Sequence, residues 1–189
     1  MTLRRDRFQA ELTLSAYRKL RTAASHAGCW GSDEGERATA LGLLRTAAAT
    51  HRRTTSPQPA SSRQTVHDAL HMPRQGHALI DVLIDENELD EAWEAADGLA
   101  SAHQWLALTD ASTDTRPADA AHVYLREVAA RKHHTGDSND LEIARLLLKA
   151  KACHERLGTQ TDFTHYITQL RTEQKRKRNL MKTLDRHQL

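Results

Sequence analysis

The chain has 189 residues, of which 39% are hydrophobic and 28% are charged, with 27 Lys/Arg against 25 Asp/Glu. Only 4% of the residues are aromatic, and valine and isoleucine are also few, whereas alanine and leucine recur throughout. This composition argues against a sheet protein, because strands are enriched in aromatic and β-branched residues.

The sequence carries no signal for a membrane or for secretion. No apolar run approaches the ~20 residues that cross a bilayer, and no apolar signal-peptide segment follows the arginines of residues 1–7. The two cysteines, Cys29 and Cys153, cannot form a disulfide framework or a four-ligand zinc cluster by themselves. We therefore predict a cytoplasmic protein that does not contact membranes.

Most of the chain has the periodicity of amphipathic helices. Four apolar side chains recur at i, i+3, i+4 and i+7, the spacing that places them on one helix face. The quartets are Ala40/Leu43/Leu44/Ala47, Leu89/Ala92/Trp93/Ala96, Ala121/Tyr124/Leu125/Val128 and Phe163/Tyr166/Ile167/Leu170. A helical stretch precedes each quartet, and these stretches are residues 12–27, 78–85, 102–111 and 141–157. We predict an all-α fold, an irregular array of antiparallel helical hairpins that is tetratricopeptide-like.

A segment of linker composition divides this pattern. Residues 53–64 hold two prolines and a Ser/Thr cluster without apolar periodicity, and Pro73 marks residues 67–72 as a separate short turn. We therefore predict three parts. They are an N-terminal helical hairpin (1–52), a flexible linker with a short helical turn (53–75) and a helical-repeat domain that ends in a long basic helix (76–189).

Three local signals mark helix ends in the predicted repeat domain. Pro117 suits a first helical turn, where its missing N–H is not needed. Gly158 suits the position just after a helix end, which favours a left-handed backbone. Ser138 or Asn139 is expected to cap the helix that runs to residue 157, with Glu142 completing a capping box.

Charge is unevenly distributed along the chain. Residues 76–115, the acidic block, carry ten acidic residues and no lysine or arginine, whereas residues 1–63 and 171–189 are basic. We interpret the carboxylates of its two short helices as a solvated outer face rather than as acid/base catalysts. These carboxylates are Asp81, Asp85, Glu86, Glu88, Asp90, Glu91, Glu94 and Asp97.

Twelve histidines make a metal site the first chemical hypothesis. His67 and His71 are spaced i, i+4, but the metalloprotease motif needs Glu after the first histidine, and Asp68 stands there. We interpret both as solvated polar residues. Cys153 lies on an apolar helix stripe and is predicted to be a small buried residue. With no nucleophile elbow or phosphate-binding loop present, the sequence predicts no catalytic residue, metal or cofactor.

The C-terminal segment is the most informative part of the sequence. Four cations spaced i, i+4, i+7 and i+11 form one stripe of the predicted helix, and two more lie beside it. In chain order the six are Arg171, Lys175, Arg176, Lys177, Arg178 and Lys182. Such a row can bind a polyanion by counterion release. The alternative roles are to shield the end of the array, to complement the helix dipole or to pair with the acidic block.

Three stretches carry a family resemblance: KRKRNLMKTLD at 175–185, RPADAAHVY at 116–124 and ACHERLG at 152–158. They resemble the C-terminal helical region of actinobacterial SWIM zinc-finger family proteins. That family is named for a zinc motif, CxCx(n)CxH, which is thought to mediate DNA or protein binding. Neither Cys29 nor Cys153 stands in such a motif. The resemblance therefore implies the α-helical companion region alone and no zinc ligand.

These observations predict a non-enzymatic helical-repeat module that binds a protein partner. The alternative is a nucleic-acid-binding accessory protein that acts through the six C-terminal cations. Both predictions do without a small-molecule substrate.

Overall fold

The computed structural model describes residues 2–31, 35–55 and 77–189, and in these ranges it contains ten helices and no strand. The helices are α1 (Thr2–Glu11), α2 (Leu14–His26), α3 (Glu36–Thr55), α4 (Ala78–Asp85), α5 (Leu89–Ala96), α6 (Ala102–Ser112), α7 (Pro117–Arg131), α8 (Asp137–Leu157), α9 (Gln160–Gln174) and α10 (Arg178–Arg186). The predicted all-α fold is confirmed. Among these helices, none has the length and hydrophobicity that a bilayer crossing requires.

The four apolar quartets face the protein interior. All sixteen side chains are buried or half-buried, which confirms that each quartet lies on the packed face of its helix. Pro117 is found in the first turn of α7, and Gly158 ends α8 with φ 70, as predicted. The detailed likeness to tetratricopeptide repeats stays a prediction.

The start of the chain differs from the prediction. The expected helix over residues 12–27 begins at Leu14, and α1 precedes it, so three helices replace the predicted N-terminal hairpin. Leu12 takes a positive φ of 43, which breaks the helix, and the Thr13 hydroxyl then accepts a hydrogen bond from the Ala16 amide at 3.3 Å. A threonine N-cap after a reversal in the backbone therefore separates α1 from α2.

The capping prediction for α8 is wrong. This helix begins at Asp137, directly after Gly136 with φ 131, so Ser138 and Asn139 lie inside its first turn. The amide of Asn139 instead donates to the carbonyls of Arg131 and His134, at the end of α7. Glycine in a conformation that other residues avoid lets the chain enter the helix without a side-chain cap.

The division of the chain also differs from the sequence-based one. The structure forms two compact units, Met1–Gln104 and Trp105–Leu189. Helix α3 continues to Thr55, into the segment predicted as a linker, and residues 56–76 lie outside the described part of the chain. Residues 77–104 belong with the N-terminal helices, because α4 packs on both α2 and α3.

Arginines of α2 and α3 pair with the acidic block in the first unit. Arg21 and Arg37 both contact Glu86, at 2.9 and 2.8 Å, and the Glu86 side chain is only 10% exposed. Arg45 holds Glu91 with two hydrogen bonds of 2.7 Å. The prediction of a solvated acidic face is therefore wrong for Glu86 and for Asp85, whose side chain is 12% exposed.

These ion pairs shift the titration of the carboxylates. Burial raises the pKa of Glu86, but hydrogen bonds from Arg37 and Arg21 outweigh burial, so its pKa lies below the ordinary value. The hydrogen bonds from Arg45 likewise lower the pKa of Glu91. Both carboxylates are therefore stabilised in their charged form by the folded state.

Helix α8 is the central element of the second unit. It packs against α7, α9 and α10 around a core that includes Leu146, Leu147 and Cys153. Cys153 is fully buried, as predicted, and burial raises the pKa of its thiol.

A hydrogen-bonded cluster ties α8 to the two helices that precede it. Asp110 of α6 accepts a hydrogen bond from the Tyr124 hydroxyl of α7 at 2.6 Å, and Lys149 of α8 donates to both of its carboxylate oxygens. The three groups satisfy one another, so we interpret the cluster as structural.

Candidate cationic binding site

The predicted long basic helix is in fact two helices. Helix α9 ends at Gln174 and α10 begins at Arg178, so the six predicted cations do not form one continuous stripe. No apolar residue lies between Leu170 and Leu180. The break allows the chain to return its apolar side chains to the core, where Leu180 and Leu184 are fully buried.

Two of the six predicted cations hold the end of the fold together. The Arg171 guanidinium bonds to the Asp185 carboxylate at 2.7 Å and to the carbonyl oxygen of Leu189. The Lys177 ammonium donates to the carbonyls of Lys132 and His134, at 2.5 and 2.7 Å, just beyond α7. Both side chains are half-buried, and their charges are used within the unit.

The two acidic residues of this segment are engaged as well. Glu173 accepts a hydrogen bond from Lys132 at 2.7 Å, which lowers the pKa of Glu173, and Asp185 pairs with Arg171. Residues 171–189 contain no other carboxylate side chain. The segment therefore offers its remaining cations no carboxylate side chain that is not already paired.

Five exposed cations remain on the connector and on α10. Lys175 and Arg176 precede α10, while Arg178, Lys182 and Arg186 lie on it at i, i+4 and i+8, so that they share one helix face. Within the described residues, none of the five side chains forms an ion pair or a hydrogen bond. We call these five residues the cationic surface. Arg186 was not among the predicted site residues, because the stripe predicted on one continuous helix ran from Arg171 to Lys182.

A groove of about 360 Å³ runs between the start of α8 and α10. Lys182 and Arg186 line it on α10, and Leu141, which is 49% exposed, lines it on α8. Asp137 also lines the groove, and one of its carboxylate oxygens accepts a hydrogen bond from the Asn179 amide at 3.0 Å. The cationic surface therefore borders a concave site with an apolar side chain in its wall.

A second groove, of about 420 Å³, lies in the first unit. Its lining includes His51, His77 and Asp81, and the two imidazole rings are 5.9 Å apart between centroids. His77 caps α4, because its Nδ1 accepts a hydrogen bond from the Leu79 amide at 3.1 Å. Burial lowers the pKa of His77, and the nearby charges of His51 and Arg52 add to this effect.

The described residues contain no group of three or more His, Cys, Asp or Glu side chains placed to hold a metal ion. His67 and His71, the histidines considered as ligands from the sequence, lie outside the described residues.

The chain matches no family model, no curated protein and no solved structure.

The capping role of His77 makes the stability of the protein sensitive to pH. Because the folded state lowers the pKa of His77, the unfolded chain binds more protons as the pH falls through about 6.5, and stability is lost there. Protonation also removes the Nδ1 acceptor that caps α4. We expect the free energy of unfolding to fall between neutral pH and about pH 5.

The matched variant for this prediction is His77→Asn, which keeps a capping acceptor but does not titrate. Chemical denaturation at a series of pH values should show a shallower pH dependence for the variant than for the wild type. Identical pH profiles would show that His77 does not contribute.

Proposed function

We propose that the chain is a non-enzymatic helical-repeat module of the cytoplasm, tetratricopeptide-like in arrangement, that binds an acidic protein partner through the cationic surface. The proposal rests on a contrast between cations that form ion pairs within the fold and cations that form none. Arg18, Arg21, Arg37 and Arg45 all pair with the acidic block, whereas the five cations of the cationic surface have no partner among the described residues.

The physical chemistry of interfaces supports this contrast as a binding signal. Exposed cations that are not neutralised within the fold steer an acidic partner toward them and raise its rate of association. Arginine is also enriched among the residues that contribute most to binding energy at protein interfaces. Three of the five cations are arginines, and Leu141 supplies an apolar side chain beside them.

Charge reversal tests the proposal. We expect Arg176→Glu/Arg178→Glu/Lys182→Glu to lose any protein that the wild-type chain retains specifically from a lysate of its source cells. The control is Arg4→Glu/Lys19→Glu, because Arg4 and Lys19 are also exposed. The control should retain the same protein. Equal retention by the wild type and the triple variant would contradict the proposal.

The second candidate function is nucleic-acid binding through the same surface. The observation in its favour is that Lys175, Arg176, Arg178 and Lys182, four of the six predicted cations, are exposed and unpaired within the described part of the chain. A cluster of this kind can displace the counterions of a phosphate backbone.

The salt dependence of binding to a short duplex tests this second function. For duplex DNA, log K should fall linearly with log salt concentration, and each phosphate contact that is removed should flatten the slope by about 0.9. Fluorescence anisotropy with the wild type and with Arg176→Gln/Arg178→Gln measures both slopes. No binding by the wild type at low salt would rule this function out.

The family resemblance supports a related proposal. If the chain is the helical companion of a SWIM zinc-finger protein, then a protein that carries the CxCx(n)CxH motif is a candidate partner. A neighbouring reading frame that encodes this motif would support the relationship.

A further inference from the structure

The groove between α8 and α10 has features that define a ligand more narrowly than charge alone. Its α10 wall presents Lys182 and Arg186, which are exposed, unpaired among the described residues and four positions apart. Four helical residues span about 6 Å along the axis. A ligand that carries two negative groups at a similar spacing can therefore pair with both cations at once.

The α8 wall adds an apolar contact. Leu141 is 49% exposed although it lies on the central helix of the unit, and it lines the groove opposite the cations. A side chain of this kind gains free energy when an apolar group of a ligand covers it. The ligand is therefore expected to combine negative charge with an apolar side chain.

The chain itself shows how its cations hold acidic segments. In the first unit Arg37 pairs with Glu86 and Glu88, and Arg45 grips Glu91 with two hydrogen bonds. Glu91 belongs to helix α5, so a cation on one helix holds a carboxylate on another in this fold. Lys182 and Arg186 have the same chemistry but no such partner among the described residues.

We propose that the groove between α8 and α10 binds an acidic amphipathic helix of a partner protein. Two glutamates at i and i+4 of that helix pair with Lys182 and Arg186, and a leucine at i+3 covers Leu141. These three positions lie on one face of a helix, so a single helix can present them together. The inference rests on the proposed function and specifies its partner.

The groove favours a peptide over a nucleic acid. Leu141 offers no favourable contact to a phosphate backbone, which is polar and charged along its whole length. Asp137 in the same groove accepts a hydrogen bond from the Asn179 amide and repels carboxylates as well as phosphates, so it does not distinguish the two ligands. Nucleic-acid binding therefore becomes one of the outcomes of the test.

The test uses the full chain and a synthetic helical peptide with an alanine background, Glu at i and i+4 and Leu at i+3. Two matched peptides replace both glutamates by glutamine or the leucine by alanine. Calorimetry should show binding of the first peptide and about tenfold weaker binding of each matched peptide. A short duplex of random sequence serves as a competitor.

Variants of the chain locate the binding site. Lys182→Glu/Arg186→Glu and Leu141→Ser should each weaken peptide binding by about tenfold or more. The matched controls are Arg4→Glu/Lys19→Glu and Leu148→Ser, which change exposed residues that neither line the groove nor belong to the cationic surface. The affinity of each control for the peptide should stay within about threefold of the wild-type value. The charged control should lose only long-range attraction.

A second readout avoids dependence on the folding of the variants. In the wild-type chain with labelled leucine methyl groups, peptide binding should shift the NMR signal of Leu141 and leave that of Leu148 unchanged. Circular dichroism and unfolding curves confirm that each variant remains folded.

Three outcomes would overturn the inference. They are no binding of the acidic peptide, equal losses in the groove and control variants, and stronger binding of the duplex than of the peptide. The first two leave the proposed function intact if the charge-reversed chain still loses its cellular partner. If the charge-reversed chains still bound both the cellular partner and the peptide, the inference and the proposed function would both be wrong.

Discussion

Pairing between two oppositely charged segments organises the first unit. Arginines of α2 and α3 hold carboxylates that lie 46 to 67 positions later in the chain. An exposed ion pair of this kind contributes only about 0.2–1 kcal/mol, and most of the stability comes from burial of side chains such as Ile80 and Leu83. Glu86 differs, because its side chain is almost buried and its charge must be compensated by Arg21 and Arg37. The ion pairs therefore determine which face of α4 lies against the arginines. Burial of the apolar core stabilises this packing.

The same pairing explains why the cationic surface stands out. The acidic block has the highest concentration of acidic residues in the sequence. In the first unit the N-terminal arginines form ion pairs with it. In the second unit Asp110 engages Lys149, and Asp185 engages Arg171. None of the described ion pairs joins one of the six C-terminal cations to the acidic block. Arg171 and Lys177 instead have a structural role. Lys182 and Arg186 carry charge that no carboxylate among the described residues neutralises.

Much of the fold could be predicted from the sequence, because the apolar quartets, Pro117 and Gly158 are local signals whose physical meaning does not depend on distant residues. The errors arose where a distant contact decides the outcome. The break before α10 depends on the return of Leu180 to the core of α8, and the burial of Glu86 depends on arginines far away in sequence. The same reason limits what the sequence alone indicates about the candidate site. Its cations are visible in the sequence, but the groove and the role of Leu141 exist only after α10 has folded back.

Buried charge pairing holds the acidic block against the N-terminal arginines. The most direct measurement compares the free energy of unfolding of Glu86→Gln with that of Glu94→Gln, an exposed carboxylate on α5. We expect Glu86→Gln to lower the free energy of unfolding by about 1–3 kcal/mol at neutral pH and Glu94→Gln to leave it almost unchanged. Because the folded state lowers the pKa of Glu86, the advantage of the wild type should persist above about pH 4.3 and vanish as the pH falls further. Equal stability of the two variants at neutral pH would show that the pairing of Glu86 does not stabilise the fold.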